Sequence, residues 1–284
     1  MTATLMSGAE PAARIRADVA EEVAELGAIG LATVLVGDDP ASHLYIRRKH
    51  EAAREVGIET FDHKLPADTS EEDLLALLDE LNEDDAVDAI LPQLPLPAHL
   101  DEARIILAVD PRKDVDGLHP FNAGELYLGR PTIVPATPLG IMALLGEHGV
   151  RLDGARAVVV GRSDIVGKPV AHLLLHANAT VTICHSHTDD LSRFTLDADV
   201  LVVAAGIPGL VAADMVKLGA AVIDVGQNRT QAGLVGDVDP GAAERAALLT
   251  PVPGGVGPMT IAMLLRNTVR AARFRRGVLA FPSV

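Results

Sequence analysis

Apolar residues in this chain fall into short unbroken runs, separated by longer stretches with polar faces. GLATVLVG, from Gly30 to Gly37, reads as a strand buried on both sides. A turn follows at Asp38–Ala41, and Ser42 is placed to cap a helix reaching about Glu55. FDHKL (61–65) is a second strand, and Ser70, with Glu71 and Glu72 behind it, opens a helix ending near Asn82. AVDAIL (86–91) is a third strand. A second series follows: ARAVVVG (155–161), ATVTIC (179–184), DVLVVAAG (199–206) and AAVIDVG (220–226). Apolar strands alternating with helices predict parallel sheets covered on both faces, an α/β fold. Two series predict two α/β domains. The boundary falls in the Gly/Pro-rich stretch 116–138 and is drawn between 118 and 119, giving a first domain 1–118 and a second 119–259. An apolar-patterned helix near 260–274 closes the chain. The segment 260–284 is expected to pack back on the first domain, leaving a cleft between the two.

Composition narrows the function. The 284 residues carry 24 Lys plus Arg against 39 Asp plus Glu, a net charge of −15. That balance argues against nucleic acid or an anionic membrane surface as partner, since both call for basic stripes. Seven aromatic side chains (five Phe, two Tyr, no Trp) leave the core to Ala, Val, Leu and Ile. With one cysteine, Cys184, no disulfide can form within the chain, which fits a reducing compartment. No charged-then-apolar leader is seen at the start, and the most apolar stretch, Val200–Ala213, is broken by Gly and Pro and too short to span a bilayer. The expected location is the cytoplasm.

The strongest local signal is ARAVVVGRSDIVGKP. A buried strand runs into Gly161-Arg162-Ser163-Asp164-Ile165-Val166-Gly167, and Pro169 sits where a first helical turn tolerates it. Unpaired N–H groups at such a helix start, together with its dipole, favour an anion. The loop reads G-x-S-x-x-x-G rather than G-x-G-x-x-G, and by itself is equally compatible with an ordinary strand-to-helix turn. The next strand shifts the balance. It ends in His185-Ser186-His187-Thr188, where an NAD site usually places an acid for the ribose hydroxyls. Hydroxyls there, with Arg162 in the loop, suit a 2′-phosphate, so NADP is preferred over NAD in a Rossmann-like second domain; the alternative for Arg162 is a surface salt bridge. No metal site is assigned: Cys184, His185 and His187 alternate across a strand end and do not converge, and His172 and His176 lack the Glu of H-E-x-x-H.

In the first half, Tyr45 and Lys49 are four apart and share a helix face. The alternative is a solvated basic helix with Arg47, Arg48 and His50, which leaves unexplained why one of only two tyrosines sits there. Gln93 stands between prolines just after a strand, a rigid donor–acceptor. Asp114 and Asp116 follow in PRKDVDG, and TPVPGGVGPMT (250–260) is a Gly/Pro loop that lets a ligand approach the backbone.

These segments together resemble one family, the bifunctional methylenetetrahydrofolate dehydrogenase/methenyltetrahydrofolate cyclohydrolases. The resemblance runs from about Leu31 to Ala272 and rests on VGDDPAS–YIRRK, QLPLP, KDVDGLHPFNAG, PATPLG, GRSDIVGKP, ATVTICHS, GAAVIDVGQN, GDVD and TPVPGGVGPMT in that order. It implies a folate-binding catalytic first domain and an NADP-binding second domain. It implies NADP-dependent oxidation of 5,10-methylenetetrahydrofolate and hydrolysis of the methenyl product to 10-formyltetrahydrofolate, by a homodimer. Carried over by position, Lys49 is the catalytic lysine, Tyr45 stacks on the folate, Gln93 partners the lysine, and Asp116 anchors the pterin. Leu94 and Pro253, Gly254 and Gly255 belong to the folate pocket. Gly161, Arg162, Ser163, Ser186 and the backbone at Gln227 contact NADP.

The chain departs from the family pattern at Pro92 (usually Val), Ala136 (usually Cys), Asp164 (usually Asn) and Gln227 (usually Ile). Pro92 is expected to disturb the strand end bearing Gln93, and Asp164 to add a negative charge near the phosphates. Two other functions compete. An NADP-dependent dehydrogenase of an amino or hydroxy acid is permitted by the second domain alone, but leaves Tyr45, Lys49, Gln93 and Asp116 without a purpose. A noncatalytic nucleotide-binding protein has no need of Lys49.

Overall fold

The computed structural model describes residues 2–231 and 233–282, with the side chains of residues 40–42 outside the description. In chain order the elements are β1 (Thr4–Leu5), α1 (Ala9–Leu26), β2 (Gly30–Val36), α2 (Pro40–Glu55), β3 (Glu59–Leu65), α3 (Glu71–Glu83), β4 (Ala89–Pro92) and α4 (Glu102–Ala108). There follow α5 (Pro120–Tyr127), α6 (Ala136–Glu147), β5 (Arg156–Val160), α7 (Gly167–His176), β6 (Thr180–Cys184), α8 (Ser192–Thr195) and β7 (Val200–Val203). The last are β8 (Ala221–Asp224), β9 (Asn228–Thr230), β10 (Gly233–Val235), β11 (Leu248–Leu249) and α9 (Val256–Arg275).

The chain divides into two compact units. One is Arg14–Val134 with the chain from Leu264 onward; the other is the chain up to Ala13 with Pro135–Met263. The division at 134/135 lies inside the Gly/Pro-rich stretch but later than the expected 118/119. Residues 119–134 side with the first unit because α5 is tied there: Asn122 Nδ2 donates to Asp114 at 2.9 Å and Thr132 Oγ1 donates to Asn122 Oδ1 at 2.6 Å.

In the first unit a three-stranded parallel sheet has the order β3-β2-β4. The central strand, β2, is buried at every position, as its apolar run requires. Its inner residues Ala32, Val34 and Val36 pack with Leu74, Leu78 and Leu81 of α3 and with Ile105 of α4. Ser70 caps α3 as expected, accepting from Asp73 N at 3.1 Å. The C-terminal part of α9 belongs to this unit. Asn267 Nδ2 donates to the carbonyls of Val115 (3.0 Å) and Val134 (2.8 Å). Asp88, 1 % exposed, is gripped by Arg275 Nε and Arg276 Nη2, each at 2.7 Å.

The second unit holds a six-stranded sheet, β1-β11-β8-β7-β5-β6, parallel at every pairing. Val160 is level with Cys184 and Val203, and Val203 with Asp224. The loops after β5, β6, β7 and β8 therefore leave one edge of the sheet side by side, where α/β sheets bind ligands.

Several boundaries differ from the pattern. Strand β4 starts at Ala89 rather than 86, because Asp88 is committed to the arginines and to the Gly30 N–H (3.1 Å). Helix α2 starts at Pro40, upstream of the expected cap Ser42, whose side chain lies outside the described residues. Helix α1 and the two-residue strands β1 and β11 are not anticipated; strands that short carry no periodicity.

Candidate active site

On α2, Tyr45 and Lys49 lie one turn apart, with Tyr45 40 % exposed and Lys49 half-buried. Lys49 Nζ donates to Gln93 Oε1 at 3.3 Å. The amide is held in turn: its Nε2 donates to the Leu94 carbonyl at 2.8 Å, and the Gln93 backbone N–H donates to Val34 O at 2.8 Å. Pro92 leaves this strand end intact. It is the last residue of β4, level with Val34 on the edge of the sheet, where a missing N–H is tolerated. The expected disturbance is absent, since the Gln93-to-Val34 bond continues the ladder.

Pro92, Leu94, Asp114 and Asp116 share a narrow cavity of about 10 Å³, room for at most about one water. Burial pushes the Asp116 carboxyl above the ordinary carboxylate range, and the charge of Lys49 pulls it back. Amine and amide are in contact, and the carboxylate lies near enough to feel the charge of the amine. Asp114, deeper, is also raised by burial, and it accepts from His119 N (2.7 Å) and Asn122 Nδ2 (2.9 Å). Those bonds make Asp114 the brace of the KDVDG turn and leave Asp116 as its outward carboxylate.

Pro253, Gly254 and Gly255 fall in the other unit, in the loop that opens α9. The loop is tied down by Gly8 N to Gly254 O (2.9 Å) and Gly255 N to Pro251 O (2.8 Å). A β-carbon at Gly255 would stand 2.7 Å from the Pro251 carbonyl oxygen, so glycine is required there.

At the ligand edge of the six-stranded sheet a cavity of about 440 Å³ is lined by Gly161, Arg162, Ser163, His185, Ser186, Thr188, Ala204, Ala205 and Ile207. Gly161 has φ +125°, and a β-carbon on it would stand 2.2 Å from Ala204 O. Arg162, Ser163 and Ser186 are exposed at the rim. The helix start is not the bare N–H cluster the sequence implies. Ser163 Oγ accepts from Val166 N (3.2 Å) and Gly167 N (3.3 Å), and Ser163 O from Lys168 N (3.0 Å). Ser163 therefore caps α7 from within the loop, and side chains at the rim, Arg162 above all, are left as the cationic element. The negative charge of Asp164 is met by Lys168, one turn on, at 2.5 Å. Cys184 points into the core while His187 is exposed, so the C-H-x-H run does not converge.

Two buried aspartates, quoted in the sequence only as parts of motifs, organise the neighbouring loops. Asp237 Oδ2 accepts from Ala205 N (2.7 Å) and Gly206 N (2.8 Å), and its Oδ1 from Asn228 Nδ2 (2.7 Å). Asp224 accepts from the N–H groups of Gly226 (2.9 Å), Asp237 (2.9 Å) and Val238 (3.0 Å). Gly226 and Gly236 leave room for these carboxylates: a β-carbon on either would fall within 2.4 Å of one. Gln227, exposed, follows directly. A polar residue right after an apolar strand run was the available signal, though not a distinctive one.

The match to known proteins spans both units. The tetrahydrofolate dehydrogenase/cyclohydrolase catalytic domain matches residues 6–116, and the tetrahydrofolate dehydrogenase/cyclohydrolase NAD(P)-binding domain matches 135–276. The chain belongs to this family. It is 54 % identical over 277 residues to a bifunctional protein FolD of Halothermothrix orenii, covering 95 % of this chain and 98 % of that one. Among solved structures, the bifunctional dehydrogenase/cyclohydrolase of Campylobacter jejuni superposes with a TM-score of 0.94 at 46 % identity, covering 96 % of this chain and 99 % of that one. The Trypanosoma brucei methylenetetrahydrofolate dehydrogenase-cyclohydrolase, complexed with NADP cofactor and an inhibitor, gives 0.92 at 43 %, covering 99 % and 100 %. Family membership, the α/β architecture and the Lys49–Gln93 contact between α2 and the loop after β4 agree with one another.

Proposed function

We propose that the protein is a bifunctional, NADP-dependent methylenetetrahydrofolate dehydrogenase and methenyltetrahydrofolate cyclohydrolase of one-carbon metabolism. The observation that carries the reading is the Lys49–Gln93 contact beside Asp116, in a chain that belongs throughout to this family.

The dinucleotide fits the second unit. A glycine at Gly161 and a cavity of about 440 Å³ at the ligand edge of a parallel sheet accept a nucleotide, and the exposed Arg162 suits a 2′-phosphate. When bound, NADP+ takes up a hydride from the one-carbon bridge of the substrate. Gly161, Arg162, Ser163, Ser186 and the backbone at Gln227 hold it.

On the folate side, Asp116 accepts the amino and ring N–H groups of the pterin. Tyr45 offers its ring face from α2, with Leu94 beside Gln93; the family's further folate contacts, Pro253, Gly254 and Gly255, lie in the loop that opens α9. Holding the bridge carbon in place removes part of the entropic barrier. After oxidation, water adds to the methenyl carbon and one carbon–nitrogen bond breaks, giving the 10-formyl product. Lys49 takes a proton from the attacking water and returns one to the departing ring nitrogen. Gln93 accepts the lysine's hydrogen bond and holds the amine in place.

The direct test is to mix the purified protein with 5,10-methylenetetrahydrofolate and NADP+. Formation of NADPH together with 10-formyltetrahydrofolate is expected; no turnover with either nicotinamide dinucleotide overturns the reading. The protein is further proposed to act as a cytoplasmic homodimer. Sedimentation should give about twice the chain mass of 29.7 kDa.

A further inference from the structure

Residue 50 is a histidine beside the lysine, turned the other way. Lys49 reaches toward the loop after β4, whereas His50, 5 % exposed, is buried against β2. There His50 Nε2 and Thr33 Oγ1 share a hydrogen bond of 2.8 Å. Thr33 is itself fully buried, in a strand whose other side chains are apolar. A polar pair in such a place is specific in geometry: either partner alone would be left unsatisfied. The next residue of the same strand, Val34, accepts the backbone N–H of Gln93 at 2.8 Å. Adjacent residues of β2 thus hold both sides of the Lys49–Gln93 contact, Thr33 through the neighbour of the amine and Val34 through the amide's own backbone.

We propose that the buried His50–Thr33 hydrogen bond pins α2 on β2 so that the Lys49 amine meets Gln93, making His50 and Thr33 positioning residues for the hydrolytic step. Both groups are buried and act through Lys49 rather than on substrate. The pin sets the rotation of the helix, and rotation is what a residue one place along a helix must share with its neighbour. The proposal rests on the reading of Lys49 given above.

The test compares Thr33→Val and His50→Leu, each filling the site without the hydrogen bond, with Thr33→Ser and His50→Gln, which keep a hydroxyl or an amide at the contact. Lys49→Met is assayed in parallel. Expected for Thr33→Val and His50→Leu is a fall in kcat for methenyltetrahydrofolate hydrolysis of about ten- to a hundredfold, as a small misplacement of a catalytic group produces, with KM nearly unchanged. Thr33→Ser and His50→Gln should recover most of the rate. The double variant Thr33→Val/His50→Leu should be no slower than either single one, because both remove the same bond. Full kcat in the apolar variants, or losses that multiply in the double variant, overturns the proposal. Should His50→Leu fail to fold, the near-isosteric Thr33→Val against Thr33→Ser decides alone. Unimpaired hydrolysis by Lys49→Met is a different failure: it removes the role of the lysine, and the pin then has nothing to position.

Discussion

Lys49, Arg162 and His50 each make a separate claim. Replacing Lys49 by Met should slow hydrolysis of methenyltetrahydrofolate by about 10²–10⁴, the usual worth of a positioned acid–base group. Rapid quenching with product analysis measures it, and a loss below tenfold would remove the lysine from the proton transfers. Arg162→Ala should raise Kd for NADP+ by about 10- to 100-fold, the worth of a charge-assisted hydrogen bond, and leave NAD+ nearly unchanged. Equal losses would show that the guanidinium does not meet a 2′-phosphate. His50 carries a pH signature. Burial lowers its pKa from the ordinary 6.5, with Asp62 opposing, and Arg54, Lys64 and Lys49 reinforcing. A depressed folded pKa means that the unfolded chain binds the proton more readily. The stabilising contribution is therefore complete above about 6.5 and is lost as the pH falls below it. Chemical unfolding across that range should show a steeper acid loss for the parent protein than for His50→Gln.

Elements were legible where an apolar run or a cap fixes them, and less so where tertiary bonds decide. Strand β2 and the start of α3 at Ser70 follow directly from GLATVLVG and from Ser before two glutamates. The start of β4 does not, because the commitment of Asp88 to Arg275 and Arg276 joins residues 187 and 188 positions apart. At the site, the family's spacing marked Lys49, Gln93 and Asp116. Thr33 lies inside a hydrophobic run, and nothing in GAAVIDVGQN or GDVD marks Asp224 or Asp237 as the residues that organise the loops. The cap of α7 is not legible in the sequence for a similar reason. A serine inside the loop, Ser163, accepts from the N–H groups of Val166 and Gly167. The loops at the dinucleotide cavity test this view. Asp237→Ala would orphan the N–H groups of Ala205 and Gly206 and the amide of Asn228, at about 1–3 kcal/mol each. Calorimetry should show a lower Tm and titration a weaker hold on NADP+, since Ala205 lines the cavity. A variant that binds the cofactor normally would reduce Asp237 to a stabilising role.

For the whole chain, neither unit is continuous in sequence. The first takes Arg14–Val134 and the residues from Leu264, and the second takes the residues up to Ala13 and Pro135–Met263. A fragment ending at Val134 would lack Asn267, which holds Val115 O and Val134 O, and would leave Asp88 buried without its arginines. An unpaired buried charge costs about 3–5 kcal/mol, a large part of the stability of a small domain. That fragment should unfold without a cooperative transition in urea, whereas one extended by a linker and residues 264–284 should regain it. A cooperative, folded 1–134 fragment would contradict the role assigned to the last helix.

The scarcity of aromatic rings gives the molecule a private optical window. With no tryptophan, its ultraviolet emission comes from two phenols. One of them, Tyr45, stands a single helical turn from the lysine amine and is partly open to solvent, while Tyr127 is 67 % exposed on α5. Occupation of the pocket beside Lys49 should quench or shift one fluorophore against the steady background of the other, so substrate capture can be followed without attaching a dye.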